Sequence, residues 1–116
     1  MKAMAGKGRY GMAEKTLVLG TVFHSKKEAR RYADLKLMEQ AGVVRNIELQ
    51  PAFPIEIGGV KIIYGSGRQL KYVADFRYYD NEKKAWIIED VKGHLTDVYK
   101  IKKALMAAMG NEIKEI

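Results

Sequence analysis

The sequence predicts an α/β fold in which a central mixed sheet is flanked by helices. Three observations lead there: an early helical segment with its own cap, a middle third of short β-like runs punctuated by Pro and Gly, and a late segment of helical period. At 116 residues the chain has room for one domain, and such a domain buries about two-thirds of the surface its unfolded chain exposes. No internal repeat divides it.

Residues 1–15 carry Lys2, Lys7, Arg9 and Lys15 among glycines without periodicity and read as a flexible basic arm, leaving residues 16–116 as the folded domain. Residues 16–23 are β-branched and aromatic around Gly20, which suits a short strand or a tight hairpin. Ser25-Lys26-Lys27-Glu28 is a capping box, and Tyr32, Leu35 and Met38 continue at helical spacing until Gly42 supplies a stop. Residues 43–50, 53–57 and 60–64 then read as strands, with Gly58-Gly59 as a hairpin turn. Gly65-Ser66-Gly67-Arg68 is a loop with one cation at its tip. Residues 70–80 and 85–92 form two further strands around the turn Asn81-Glu82-Lys83-Lys84. Beyond Gly93, Thr96 or Asp97 caps a helix whose apolar face is Val98, Ile101, Leu105 and Ala108, ending at Gly110.

The composition narrows the chemistry. The chain has no cysteine, so thiolate catalysis and Cys-ligated metal sites are excluded, and a reducing cytoplasmic setting is the expectation. Apolar runs are too short to span a bilayer. A net charge of +7 and a pI near 9.6 favour a polyanionic partner, nucleic acid first, since each neutralised phosphate releases condensed counterions.

If the second hairpin closes with Asp80 opposite Ala85, facing residue numbers sum to a constant. Asp75 then lies opposite Asp90 and Val73 opposite Lys92, all on one sheet face. Two carboxylates facing each other at about 5 Å repel by about 3 kcal/mol at an effective dielectric of about 20. A hard divalent cation removes that penalty, because Mg²⁺ binds through one or two carboxylates, waters and substrate phosphates. Lys92 would position or activate water and offset charge in the transition state. A solvated polar face is the plainer reading, but the apolar residues around both aspartates argue against it.

Asp75 followed after a hairpin by Asp90-Val91-Lys92 resembles the PD-(D/E)XK nuclease superfamily, and the wider run resembles its short phage members. Phe23-His24-Ser25-Lys26-Lys27-Glu28-Ala29-Arg30-Arg31-Tyr32, Glu48-Leu49-Gln50-Pro51, Ala74-Asp75-Phe76 and Glu89-Asp90-Val91-Lys92-Gly93 carry the likeness. It spans most of residues 21–110. The proline expected before the first Asp is Ala74 here. The resemblance implies a restriction-endonuclease-like core and a catalytic set of Glu28, Asp75, Asp90 and Lys92, with Glu28, Asp75 and Asp90 holding Mg²⁺ (Mn²⁺ substituting). Glu28 is equally explained as the third residue of its capping box, though it shares the buried helix side with Tyr32 and Leu35.

Glu89 alternates to the opposite face from Asp90 and is not expected to bind metal. His24 and His94 lack partners at zinc-ligand spacing. Lys26, Lys27, Arg30, Arg31, Lys100 and Lys103 are expected to track a sugar–phosphate backbone, with Arg68 and Gln50 as further contacts; a solvated helix face is the alternative for the lysines and arginines. Tyr78, Tyr79 and Tyr99 are either stacking platforms or core. Together these readings predict a Mg²⁺-dependent endodeoxyribonuclease of the Holliday-junction-resolvase type, acting on branched DNA as a homodimer. The alternatives are a nicking or restriction-like nuclease with a sequence-reading partner, and a non-catalytic nucleic-acid-binding protein on a nuclease fold.

Overall fold

The computed structural model describes residues 16–18, 21–23, 25–91 and 95–116. The basic arm, His24, His94 and the catalytic candidate Lys92 therefore lie outside the described residues. The architecture is α/β, with a mixed four-stranded sheet and two helices.

Strands β1 (Thr16–Val18) and β2 (Thr21–Phe23) form the expected hairpin. Helix α1 (Lys26–Gln40) starts where Ser25 Oγ accepts the Glu28 N–H at 3.0 Å, one half of the capping box. It stops as Gly42 takes φ +78° and the Val43 N–H closes on the Met38 carbonyl at 2.9 Å. Glu28, Ala29, Tyr32 and Leu35 form its buried side.

Strand β3 (Val44–Leu49) pairs antiparallel with β8 (Phe76–Asp80), which pairs with β9 (Ala85–Asp90); β10 (Ile113–Glu115) adds to β9 in parallel. The β8–β9 register is the expected one, Asp80 opposite Ala85 and Phe76 opposite Glu89. Asp80 Oδ1 fixes the turn by accepting the Glu82 and Lys83 N–H groups at 2.9 and 3.0 Å. A smaller extension holds β4 (Ala52–Pro54) paired with β7 (Lys71–Val73), and β5 (Glu56–Ile57) paired with β6 (Val60–Lys61) across Gly58-Gly59, both at positive φ.

Alternation along β8 and β9 separates two cores. Phe76 and Tyr78 pack with Phe23, Tyr32, Leu35 and Val44 on the α1 side. Ile88 faces the other way, toward Tyr72, Ile113 and the Tyr99 and Met106 side chains of helix α2 (Asp97–Ala108).

Two expectations are corrected, and one strand is added. Residues 70–80 are two strands rather than one: β7 pairs with β4, and that ladder ends at Pro51, which has no N–H to continue it, so the chain bends at Asp75 and passes to β3 and β9. The apolar face of α2 is rotated, because Val98 and Ile101 are exposed while Tyr99 and Met106, seven residues apart, are buried. The larger side chains bury more apolar area against the sheet than Val and Ile would. Strand β10 carries too short an alternating pattern to be read alone; its parallel partner and the buried Ile113 hold it.

The α1-side core also encloses a charge. Glu89 is fully buried, accepts two bonds from Arg31 (Nε at 2.9 Å, Nη2 at 2.6 Å) and a short bond from the Tyr78 hydroxyl. Truncating one member of a buried ion pair costs about 3–5 kcal/mol, a large share of the 5–15 kcal/mol that typically holds a domain folded. Arg31→Ala is therefore expected to lower the urea-unfolding free energy by about 3–5 kcal/mol, and Tyr78→Phe by about 1.5–3 kcal/mol. Tyr72→Phe, which removes a buried hydroxyl with no hydrogen-bond partner, should be neutral or stabilising in the same measurement.

Candidate active site

The bend between β7 and β8 delivers Asp75 beside the end of β9. There the two aspartates are clasped through backbone: the Asp75 N–H donates to Asp90 Oδ1 at 3.0 Å, and the Val91 N–H donates to Asp75 Oδ2 at 2.8 Å. The Asp75 N–H also meets the Glu89 carbonyl at 3.1 Å, which ends the β8–β9 ladder. Asp90 is almost fully buried and Asp75 half-buried. Amide dipoles offset part of the repulsion between the carboxylates and fix both side chains before any ligand arrives.

Other groups frame the pair. The Gln50 N–H donates to the Asp75 carbonyl at 2.9 Å, from a left-handed backbone with φ +50°. A non-glycine residue held in that region stores local strain, a feature concentrated at functional sites. Its side chain is exposed. Ala74 is buried and donates its N–H to the Pro51 carbonyl at 3.1 Å. A proline there would lose this bond.

Sequence reading missed Glu115, which the parallel β10 sets beside Asp90 in register. Its carboxylate accepts from the Tyr99 hydroxyl at 2.7 Å and from Lys103 Nζ at 3.0 Å. Burial, the bond to Glu115 and the negative charge of Asp90 and Asp75 all push the Tyr99 hydroxyl pKa above the usual tyrosine value. Only a strand invisible in the local pattern brings Glu115 here.

The structure brings together Asp75 and Asp90. Among the described residues no group of three His, Cys, Asp or Glu side chains is placed to hold a metal ion. Glu28 is buried on α1, which packs on the Phe76–Tyr78 face, whereas Asp75 and Asp90 lie toward α2. The Asp75–Asp90 pair suits Mg²⁺, which commonly takes one or two carboxylates and completes its shell with water and phosphate oxygens.

Of the expected DNA contacts, Lys26, Lys27 and Arg30 occupy exposed positions on α1, and Lys100 and Arg68 are exposed. Arg31 is committed to Glu89 and Lys103 to Glu115, which removes both from a simple phosphate track. Tyr78 and Tyr99 are core, while half-buried Tyr79 packs edge-on to Trp86 with Arg45 over its ring at 4.6 Å.

A family model described as a protein of unknown function, DUF1064, matches residues 7–115. The chain belongs to the DUF1064 family. No curated protein and no solved structure matches it. The DUF1064 match encloses Glu28, Gln50, Asp75, Asp90 and Glu115, and it begins within the segment read as a basic arm. Among the described residues no helix is long and apolar enough to cross a membrane.

Tyr78 and Tyr99 give the site's surroundings a pH signature. Burial first, then the bond to Glu89, raises the Tyr78 pKa, as burial and then the bond to Glu115 raise that of Tyr99. Groups with raised folded values contribute fully below the unfolded tyrosine pKa of about 10, and their contribution is lost as pH climbs through the folded values. Ultraviolet titration should show late-ionising tyrosine absorbance, and Tyr78→Phe and Tyr99→Phe should each remove part of it.

Proposed function

We propose that the protein is a divalent-metal-dependent endodeoxyribonuclease. The observation that carries this reading is the Asp75–Asp90 clasp, two carboxylates pinned side by side at a strand end of a basic chain. Asp75 and Asp90 would hold the ion. A bound Mg²⁺ would supply Lewis acidity toward a phosphodiester and lower the pKa of a coordinated water. Lys92, two residues beyond Asp90, is assigned proton handling at the attacking water and stabilisation of developing negative charge. Gln50, whose backbone N–H bonds to the Asp75 carbonyl, is assigned the orienting of substrate or water.

DNA is the substrate the charge favours, gripped through phosphates by Lys26, Lys27, Arg30 and Lys100. The chain carries no base-reading module of the helix-turn-helix or zinc-finger type, so selectivity would rest on DNA shape, and branched DNA such as a four-way junction is the preferred candidate. Two symmetric nicks need two copies, so a homodimer with two-fold symmetry is proposed with it. The resemblance to junction-resolving nucleases supports this finer reading by analogy. The rival from another class is a non-catalytic nucleic-acid-binding protein on a nuclease fold, and the presence of Glu28, Asp75, Asp90 and Lys92 in the chain argues against it.

A gel with labelled four-way junction, flap, duplex and single strand, each in Mg²⁺ or EDTA, separates the readings. Asp75→Asn and Asp90→Asn are each expected to abolish Mg²⁺-dependent cutting while DNA affinity holds or rises, since a negative charge is removed. Full cutting by either folded variant would sink the assignment, and no cutting by the wild type would leave the non-catalytic rival.

Salt dependence tests the contacts. Lys100→Ala should reduce the slope of log affinity against log salt by about one, and Lys103→Ala by less because its ammonium is paired with Glu115. Equal slopes for wild type and Lys100→Ala would return Lys100 to a solvated face.

A further inference from the structure

The extension beyond the main sheet ends in a second hairpin, closed by the Tyr64 N–H to the Arg68 carbonyl at 2.8 Å and by a bridge between Ile63 and Gln69. Gly67, at φ +91°, makes the turn. Beside this turn lies a cavity of about 290 Å³ lined by Tyr64, Arg68, Gln69 and Lys71.

Its lining is unusual for a surface hollow. The Arg68 guanidinium stands over the Tyr64 ring at 5.4 Å, so an aromatic face and a flat cation adjoin. Gln69 Nε2 is buried yet finds no hydrogen-bond partner. A buried amide donor without a partner is unfavourable, and an acceptor brought to it from the cavity would offset that. Lys71 adds a second cation, and among the described residues no carboxylate lines the cavity.

We infer that this cavity is a binding site for one unpaired nucleotide of a DNA strand, outside the Asp75–Asp90 site. The base stacks on Tyr64 and Arg68, the Gln69 amide donates to a base or phosphate oxygen, and Lys71 neutralises the phosphate. Its volume is at the lower limit for small-molecule pockets, about 300 Å³, which suits a single base. Lys71 precedes Asp75 by four residues, at most about 13 Å of extended chain. That is about four base steps of a duplex strand, so one strand can reach both places. The inference rests on the nucleic-acid reading and refines it, because unpaired nucleotides occur at branch points, flaps and frayed ends.

The test uses the full chain in EDTA, with fluorescein-labelled oligodeoxythymidylate and the same oligonucleotide paired to its complement, read by anisotropy. Tyr64→Ala is expected to weaken single-strand binding about tenfold or more and duplex binding less than about twofold. Tyr64→Phe should bind as wild type, and Gln69→Leu, close in shape but without the donor, should weaken single-strand binding about fivefold. Single-strand affinity within about twofold of wild type for both Tyr64→Ala and Gln69→Leu, or an equal loss on duplex, would overturn the inference. Far-ultraviolet circular dichroism confirms that each variant folds. If only the nuclease reading fails, DNA stays uncut in Mg²⁺ while this binding contrast persists. If only the pocket fails, the contrast vanishes while Asp75-dependent cutting persists.

Discussion

Glu89 and Asp90 are neighbours in sequence, and the pairing of β8 with β9 sends them to opposite sides of one sheet. On the α1 side Glu89 meets Arg31 and Tyr78, and on the α2 side Asp90 meets the Asp75 amide. A slip of one residue would exchange them, leaving a buried carboxylate without its guanidinium and pulling Asp90 away from Asp75. The cost of that error, several kcal/mol, makes the buried pair a lock on register. The site inherits its geometry from this lock, since the aspartate clasp exists only in the register that Glu89 selects.

The same strand pair explains why the site lies where it does. Pro51 cannot extend the β4–β7 ladder, so the chain must bend, and the bend places Asp75 where its amide and carboxylate both reach across to β9. Gln50, next to that proline, is held at positive φ by its bond to the Asp75 carbonyl. On the far side, β10 brings Glu115 into register with Asp90, and Tyr99 and Lys103 of α2 tie down its carboxylate. Three strands and one helix thus converge on the clasped aspartates, a rigid setting suited to holding charged groups in place.

Local chemistry made much of this legible. Ser25 and Gly42 mark the ends of α1 because capping needs a hydroxyl at one end and a left-handed residue at the other, and the turn at residues 81–84 fixed the β8–β9 register and hence the Asp75–Asp90 proximity. What stayed hidden depends on long-range pairing. β10 is too short to show a period, so Glu115 had no visible reason to adjoin the site. Arg31 looks like its basic neighbours until Glu89, 58 residues away, is folded against it. The apolar period of α2 fits either of two faces, and the size of Tyr99 and Met106 chose between them. Glu28 reads correctly as buried, on the helix side it shares with Tyr32 and Leu35.

The central claim is that Asp75 and Asp90 form a divalent-ion site, and direct metal binding tests it without reference to any DNA. Mn²⁺ titrated into the protein and followed by the electron paramagnetic resonance signal of the free ion should reveal at least one bound ion that excess Mg²⁺ displaces. In Asp75→Asn and in Asp90→Asn, each shown to be folded, the account predicts that this binding weakens by about tenfold or more. Mn²⁺ affinity unchanged from wild type in both variants would contradict it.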